Sequence, residues 1–384
     1  MFKIPSKIEY VIETLNKKGF DAFIVGGCVR DMLLGKTPND FDVATNALPT
    51  QVESIFEKTV PTGIKHGTVT VLVGKEPVEV TTFRIEGEYT DSRRPNKVEF
   101  VANIKEDLFR RDFTVNALAY SKNTGIIDCV GGRKDLENKI LRAVGNPEKR
   151  FKEDALRILR LFRFACQLDF NIEEKTLKSA LELIKSIEKI SRERIFTELY
   201  KLSLGKTENA KKLFQSGGLE FLKITKRPDY SLIDACKKNE KLCFFAFINT
   251  ASDSPLEVLQ SLKASNALKD YFSTLKELLN MPYYTKYDVK NLLNRGSLER
   301  VNDLADYLTA SGKNGEQIKE MCKEIVNNGE PYSVRHLKIN GNHLKSMGYK
   351  GEEIKKHLEN LRLFICKDPK NNEYESLIQF LSNQ

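Results

Sequence analysis

Apolar side chains in the first 143 residues come in short β-branched runs, DAFIVGG, TVTVLVG, VEVTTFR and KVEFV, parted by glycines and charged turns. That alternation predicts strands with a few helices between them, one α/β region. Beyond Pro147 the period changes. In EDALRILRLFRFACQL, TLKSALELIKSIEKI and RERIFTELYKLSL apolar positions recur at three and four residues, with Gly and Pro confined to junctions. The rest of the chain is therefore predicted to be helical. Turn-forming clusters at 145–150, 215–218, 225–230 and 327–333 mark internal boundaries. No fixed-period repeat or low-complexity tract accompanies the helical pattern, which argues against a solenoid.

The length of 384 residues corresponds to about two or three domains. With 40% hydrophobic and 30% charged residues and no apolar run long enough to cross a bilayer, the chain is expected to have no membrane partner. Its first residues, MFKIPSKIEYVIETL, lack the apolar centre and cleavage site of a secretory signal, so a cytoplasmic location is expected. The seven cysteines form no C-x-x-C pair and the four histidines no zinc spacing, so no structural metal is expected. A net charge of +9 suggests a polyanionic partner.

Candidate chemistry starts at FIVGGCVRDMLLGKTPNDFDVATN. Phe23-Ile24-Val25 reads as a strand running into Gly26-Gly27, where absent side chains let backbone N–H groups approach phosphate oxygens, with a helix from about Val29. Arg30 could add charge to a bound phosphate or pair on the surface with Asp31. Asp40 and Asp42, two apart on a strand, would project side by side with Phe41 packed behind them. Two adjacent carboxylates repel, and the pair persists most naturally where divalent cations neutralise it; hard oxygen ligands beside substrate phosphates describe Mg²⁺. The plain alternative is two solvated acids in a turn after Pro38-Asn39. In RRDFTVNA, Asp112 and Asn116 are four apart on an expected helix and could meet one ligand; otherwise Asp112 is a helix cap. Arg157, Arg160 and Arg163 form a ridge of guanidiniums along a largely buried helix, to be neutralised by Glu153 or Asp169 or by a triphosphate. Glu79 is either a third acid near a metal or an edge charge.

The string GGCVRDMLLGKTPNDFDVATN resembles the first motif of the nucleotidyltransferase superfamily, and specifically the bacterial-type (class II) CCA-adding enzymes within the tRNA nucleotidyltransferase and poly(A) polymerase family. The resemblance continues in family order through TGIKHGTVTV, VEVTTFR, EGEYTDSRRP, RRDFTVNALAY, DCVGGRKDLENKILRAVG, EDALRILRLFRFA and SRERIFTEL, about residues 20 to 200. It implies an α+β nucleotidyltransferase head with a small mixed, polymerase-beta-like sheet, followed by an all-α neck, body and tail, at 1–143, 144–210, 211–326 and 327–384. It implies metal-dependent addition of C, C and A to the 3′ end of tRNA from CTP and ATP, with Mg²⁺ on Asp40 and Asp42. A CC-adding or A-adding specialist, a poly(A) polymerase and, more distantly, a non-catalytic RNA-binding protein are the alternatives. Oligomeric state, monomer or homodimer, is left open.

Carried over residue by residue, Gly27, Arg30 and Arg111 are assigned by the resemblance to the phosphates, and Asp112 and Asn116 to the ribose. Asp154 and Arg157, three apart and expected on one helical face, are assigned to the incoming base. The chemistry supports this last role. Cytosine and adenine each set an amino donor beside a ring-nitrogen acceptor, which a carboxylate and a guanidinium complement; guanine and uracil turn a carbonyl toward the carboxylate. Residues 87–95 resemble the family's flexible loop, linked to the switch from CTP to ATP. HLKINGNHLKSMGYKGEEIKKHLENLRLFI resembles the RNA-binding tail, although Glu352 and Glu353, at the start of the expected final helix, would repel a phosphate backbone.

Overall fold

The computed structural model describes residues 2–86 and 98–383. The chain divides into two compact units, Met1–Arg227 and Pro228–Gln384. In the first, β1 (Ala22–Val25), β2 (Asp42–Thr45), β3 (Thr59–Gly63), β4 (Thr68–Val73) and β5 (Glu76–Thr82) are joined by two further strands of one sheet. Between them in the chain, β6 (Arg84–Glu86) and β7 (Val98–Phe100) pair with each other alone; β8 (Leu118–Ser121) and β9 (Gly125–Asp128) complete the seven-stranded order β3-β4-β5-β2-β1-β8-β9. Only β2 and β5 run parallel, so the sheet is mixed as expected.

The apolar run AFIV has no polar alternation because β1 is covered on both sides. Ala22 and Ile24 pack into a cluster with Ile8, Val11 and Leu15 of the helix Ser6–Lys17, while Phe23 and Val25 pack with Phe83, Ile104 and Leu108. The same period-two rule places the polar side chains. Val43, Val78, Val80, Val69 and Val71 all enter the first cluster, so Asp42, Glu79 and Thr70 fall on the other face. Register then lines these three up, Asp42 opposite Glu79 and Glu79 opposite Thr70.

Several local expectations are corrected. The strand begins at Asp42 and not before Asp40; the chain bends at Asn39 ahead of it, although Phe41 does pack against the core. The helix after the glycines starts at Gly27 rather than about Val29. Asp112 and Asn116 do not sit on an α-helix. Phe113 is extended and bridges to Ala143, with Val144 N–H donating to the Asp112 carbonyl at 3.1 Å, and only a single 3₁₀ turn, Thr114–Asn116, follows. Lastly, EDALRILRLFRFACQL is not one helix. Pro147–Glu153 ends at Asp154, in extended conformation, and Leu156–Leu168 begins two residues later. Asp154 causes the break, since its Oδ1 accepts the Leu156 N–H at 3.0 Å, the short-acid competition that favours caps over helix interiors.

Downstream the fold is helical, apart from a two-residue parallel pairing of Ile140–Leu141 with Asn171–Ile172. In the second unit the helix Glu240–Ala251 buries Phe244, Phe245 and Phe247, the first two edge-on against Phe272. Ile339, Leu344, Leu361, Ile365, Leu377 and Leu381 form a separate cluster near its end. Glu352–Lys367 is not the final helix, since Tyr374–Ser382 follows it. The segment 87–95 lies outside the described residues.

Candidate active site

Beside the sheet, the helix Leu156–Leu168 helps line a cavity of about 450 Å³ that gathers Gly27, Arg30, Arg111, Asp112, Asn116, Asp154, Arg157, Arg160 and Arg163, every residue expected at the nucleotide. Asp42 lines it too, and also lines a neighbouring cavity of about 850 Å³ together with Asp40, Glu79 and Thr70. Asp42 is thus the wall the two spaces share. Burial, helped by the nearby Asp40, raises the Asp42 carboxyl above its ordinary range, while Arg111 pulls the other way. An acid with a raised carboxyl beside a second acid and a third is the donor chemistry of a hard cation, and Asp40, Asp42 and Glu79 are of the type that fits one. Among the described residues, however, no three ligating side chains are already drawn together around one point.

The glycine turn is built as the chemistry requires, with one refinement. Gly26, φ +82° and ψ −134°, carries the strain, and a Cβ there would lie 2.8 Å from Arg111 Nη1. Gly26→Ala should therefore both destabilise the protein by about 1–3 kcal/mol and push Arg111 aside. A melting curve together with a CTP titration checks this; wild-type values for both would mean the turn tolerates a side chain.

Arg30 makes the expected pair with Asp31, but not on the surface. Its Nε donates to Asp31 at 2.9 Å, yet the residue is buried and Nη1 donates to Asn116 Oδ1 at 2.6 Å. Asn116 Nδ2 in turn donates to Asp112 Oδ1 at 3.1 Å, so the expected ribose pair is in contact without a helix. Asp112 Oδ2 accepts from Arg160 Nε at 2.8 Å. Burial would raise the Asp112 carboxyl, but Arg160 and Asn116 hold it down at about 2. The guanidinium ridge is partly neutralised from within. Arg157 Nη1 donates to Glu153 at 2.6 Å, as one expectation had it, and Arg163 pairs with Glu198. Asp169 serves none of the three and bonds Asn209 and Lys206 instead, because Asp169 ends the helix in a left-handed turn.

Arg157 and Asp154 come from opposite sides of the helix break. Arg157 also donates to the carbonyls of Arg150 and Arg110, each at 3.2 Å, and Asp154 Oδ2 accepts from Arg194 Nη2 at 2.7 Å. Arg194 and Arg110 are cavity residues the sequence reading did not single out. Arg110 adjoins Arg111 and could have been found from the doubled arginine; Arg194, forty positions from its partner, gave no spacing signal. In total seven arginines and three aspartates line the cavity, a strongly cationic site with specific acids.

Residues 22–142 match the family model described as the Poly A polymerase head domain, and 169–223 the one described as the probable RNA and SrmB-binding site of polymerase A. Over 96% of its length the chain is 37% identical to a CCA-adding enzyme of Pediococcus pentosaceus, of which it covers 95%. The chain belongs to the CCA-adding enzymes. The CCA-adding enzyme of Streptococcus pyogenes is 35% identical over 100% of this chain and 99% of that one. Among solved CCA-adding enzymes, that of Bacillus stearothermophilus, in complex with CTP, superposes with a TM-score of 0.82 at 30% identity, covering 99% of this chain and 98% of that one.

Proposed function

We propose that the cationic cavity is the nucleotide site at which this CCA-adding enzyme takes up CTP and then ATP, and that the acids on its wall serve transfer to the 3′ end of tRNA in the cytoplasm. One observation carries the reading: phosphate, ribose and base contacts expected from separate sequence segments converge on a single cavity with Asp42 at its edge. Backbone N–H groups after Gly26, with Arg30 and Arg111, hold the triphosphate; Asp112 and Asn116 meet the ribose; Asp154 and Arg157 read the base. Arg160 orients the Asp112 carboxylate, keeping it ionised to accept from a 2′-hydroxyl. A divalent cation serves this chemistry, and as Mg²⁺ between Asp40 and Asp42 it would neutralise charge on the transferred and departing phosphates. We propose the division 1–143, 144–210, 211–326 and 327–384 into head, neck, body and tail, of which the body crosses the boundary between the two units at Arg227. Purified protein, tRNA lacking its last three nucleotides and each labelled nucleotide in turn test the reading. Ordered C, C, A incorporation is expected; adenosine alone, or long homopolymer, would replace it with a specialist or a poly(A) polymerase.

Two further outcomes follow from charge and from the loop. Of the net +9, the unit Pro228–Gln384 holds 22 Lys and Arg against 21 Asp and Glu, leaving 40 against 32 in Met1–Arg227. If lysines and arginines track the tRNA backbone, affinity should drop about tenfold or more between 50 and 200 mM salt. Charge reversals among the exposed lysines of 175–227 should then flatten that slope more than reversals in 338–356; a salt-independent affinity would make the charge incidental. If 87–95 serves the last addition, Arg93→Ala with Arg94→Ala should leave CC addition largely intact and slow only the terminal adenosine. Equal loss of all three would make the segment part of general catalysis.

A further inference from the structure

Asp107 was not singled out by any motif, and it occupies an unusual place. It sits in the helix Ile104–Phe109 between Ile104 and Leu108, both packed into the second core cluster, and is itself only 1% exposed. Its two oxygens are divided between consecutive arginines of the nucleotide cavity. Oδ1 accepts from Arg110 Nε at 2.9 Å, and Oδ2 from Arg111 Nη2 at 3.0 Å. Oδ1 also receives the backbone N–H of Arg84, the first residue of β6, at 3.4 Å.

A buried carboxylate is a poor device for stability alone, because desolvation offsets most of its attraction and an apolar side chain would fill the same space. What it does supply is direction. A guanidinium on a flexible stem loses rotamer freedom when it grips a phosphate, and a fixed partner on its far side removes that loss beforehand. Arg111 is so held that its Nη1 would lie 2.8 Å from a Cβ on Gly26, in the turn where phosphate oxygens are expected. Its Nη2, on the same guanidinium, is the atom bound to Asp107.

We infer that Asp107 is a positioning residue for the triphosphate: one carboxylate aims Arg110 and Arg111 together at the cavity and so sets affinity for the phosphates without touching the nucleotide. The inference rests on the reading of Arg111 as a phosphate contact. Its signature is an affinity loss that depends on the number of phosphates. A residue that merely kept the fold together would weaken CTP and CMP alike.

The test is equilibrium binding of CTP and CMP to the full chain carrying Asp107→Asn, with KM and kcat for CTP and ATP measured in parallel. Asparagine keeps the shape and one acceptor but loses the charge. Affinity for CTP should fall about tenfold, that for CMP by less than about twofold, and KM should rise for both nucleotides more than kcat falls. Should Asp107→Asn fail to fold by circular dichroism, Asp107→Glu, which keeps the charge but displaces it by a methylene, should give the same phosphate-dependent loss in smaller measure. A folded variant whose CTP to CMP affinity ratio matches wild type, or one that loses both equally, overturns the inference. Arg111→Ala separates the two claims. If it lowers the ratio while Asp107→Asn does not, Asp107 has no positioning role; if it leaves the ratio unchanged, the phosphate reading of Arg111 fails first.

Discussion

Asp42→Ala is expected to lower kcat for CTP and ATP addition alike by about a thousandfold or more while leaving tRNA affinity within about twofold. The reasoning is positional. Asp42 lines both cavities, so it faces the arginine-lined one on one side and Asp40 and Glu79 in the other. A cation bound by such a pair supplies several kcal/mol of charge stabilisation, and each 1.36 kcal/mol is tenfold in rate. The same substitution carries a second, opposite signature. Because burial raises the Asp42 carboxyl, the charge is held there against its solvation, and its removal should leave the melting temperature unchanged or higher. Single-turnover incorporation with labelled CTP and ATP, beside a melting curve, reads both. Turnover that persists in Asp42→Ala at saturating Mg²⁺ would remove the acid pair from the mechanism, and a large drop in melting temperature would make the residue structural. Asp40→Ala should follow in rate, since Asp40 lines the second cavity and would share the proposed cation.

The second large effect concerns choice of base. Asp154→Ala removes the acceptor for the N4 or N6 amino group and the repulsion against a carbonyl oxygen, so kcat/KM for CTP and ATP should fall ten- to a hundredfold, with use of UTP and GTP rising relative to them. The structure sharpens this. Arg194 donates to Asp154 Oδ2, and without that partner its guanidinium becomes a donor lining the same cavity, matched to the carbonyls of uracil and guanine. Arg194→Ala combined with Asp154→Ala should therefore recover part of the lost selectivity. Arg157→Ala should harm both correct nucleotides, because one guanidinium serves N3 of cytosine and N1 of adenine. The measurement is kcat/KM for all four nucleotides on a tRNA primer. A uniform drop across the four in Asp154→Ala would reduce the carboxylate to its cap on Leu156 and end the templating role of this helix start.

How much of this was legible in the residues depended on the range of the interaction that decided each one. The region of strands with helices, the helical remainder and the candidate acid pair were readable because period-two and period-three-to-four burial, and the repulsion between neighbouring carboxylates, act within a few positions, whereas the mixed sheet came with the family resemblance. The same local rules failed where a long-range contact outbid them. RRDFTVNA has helical spacing, yet the bridge from Phe113 to Ala143 stretches it, and Asp112 still reaches Asn116 through a single 3₁₀ turn. EDALRILRLFRFACQL has an unbroken apolar period, yet Asp154 ends one helix and caps the next.

Residue chemistry together with the family resemblance singled out side chains that the fold gathers around one cavity, since the types suited to phosphate, ribose and base are set by hydrogen-bond complementarity that no fold alters. Who holds several of those side chains was decided by tertiary structure. Arg160 on Asp112, Arg194 on Asp154 and Glu198 on Arg163 are pairings across 35 to 48 positions, and the register that lays Glu79 beside Asp42 comes from strand pairing. A buried charge must find a partner of opposite sign, which the residue type makes certain. Which of the 53 acids in the chain answers each guanidinium is a matter of distance in the folded protein, and distance is what a one-dimensional pattern does not contain.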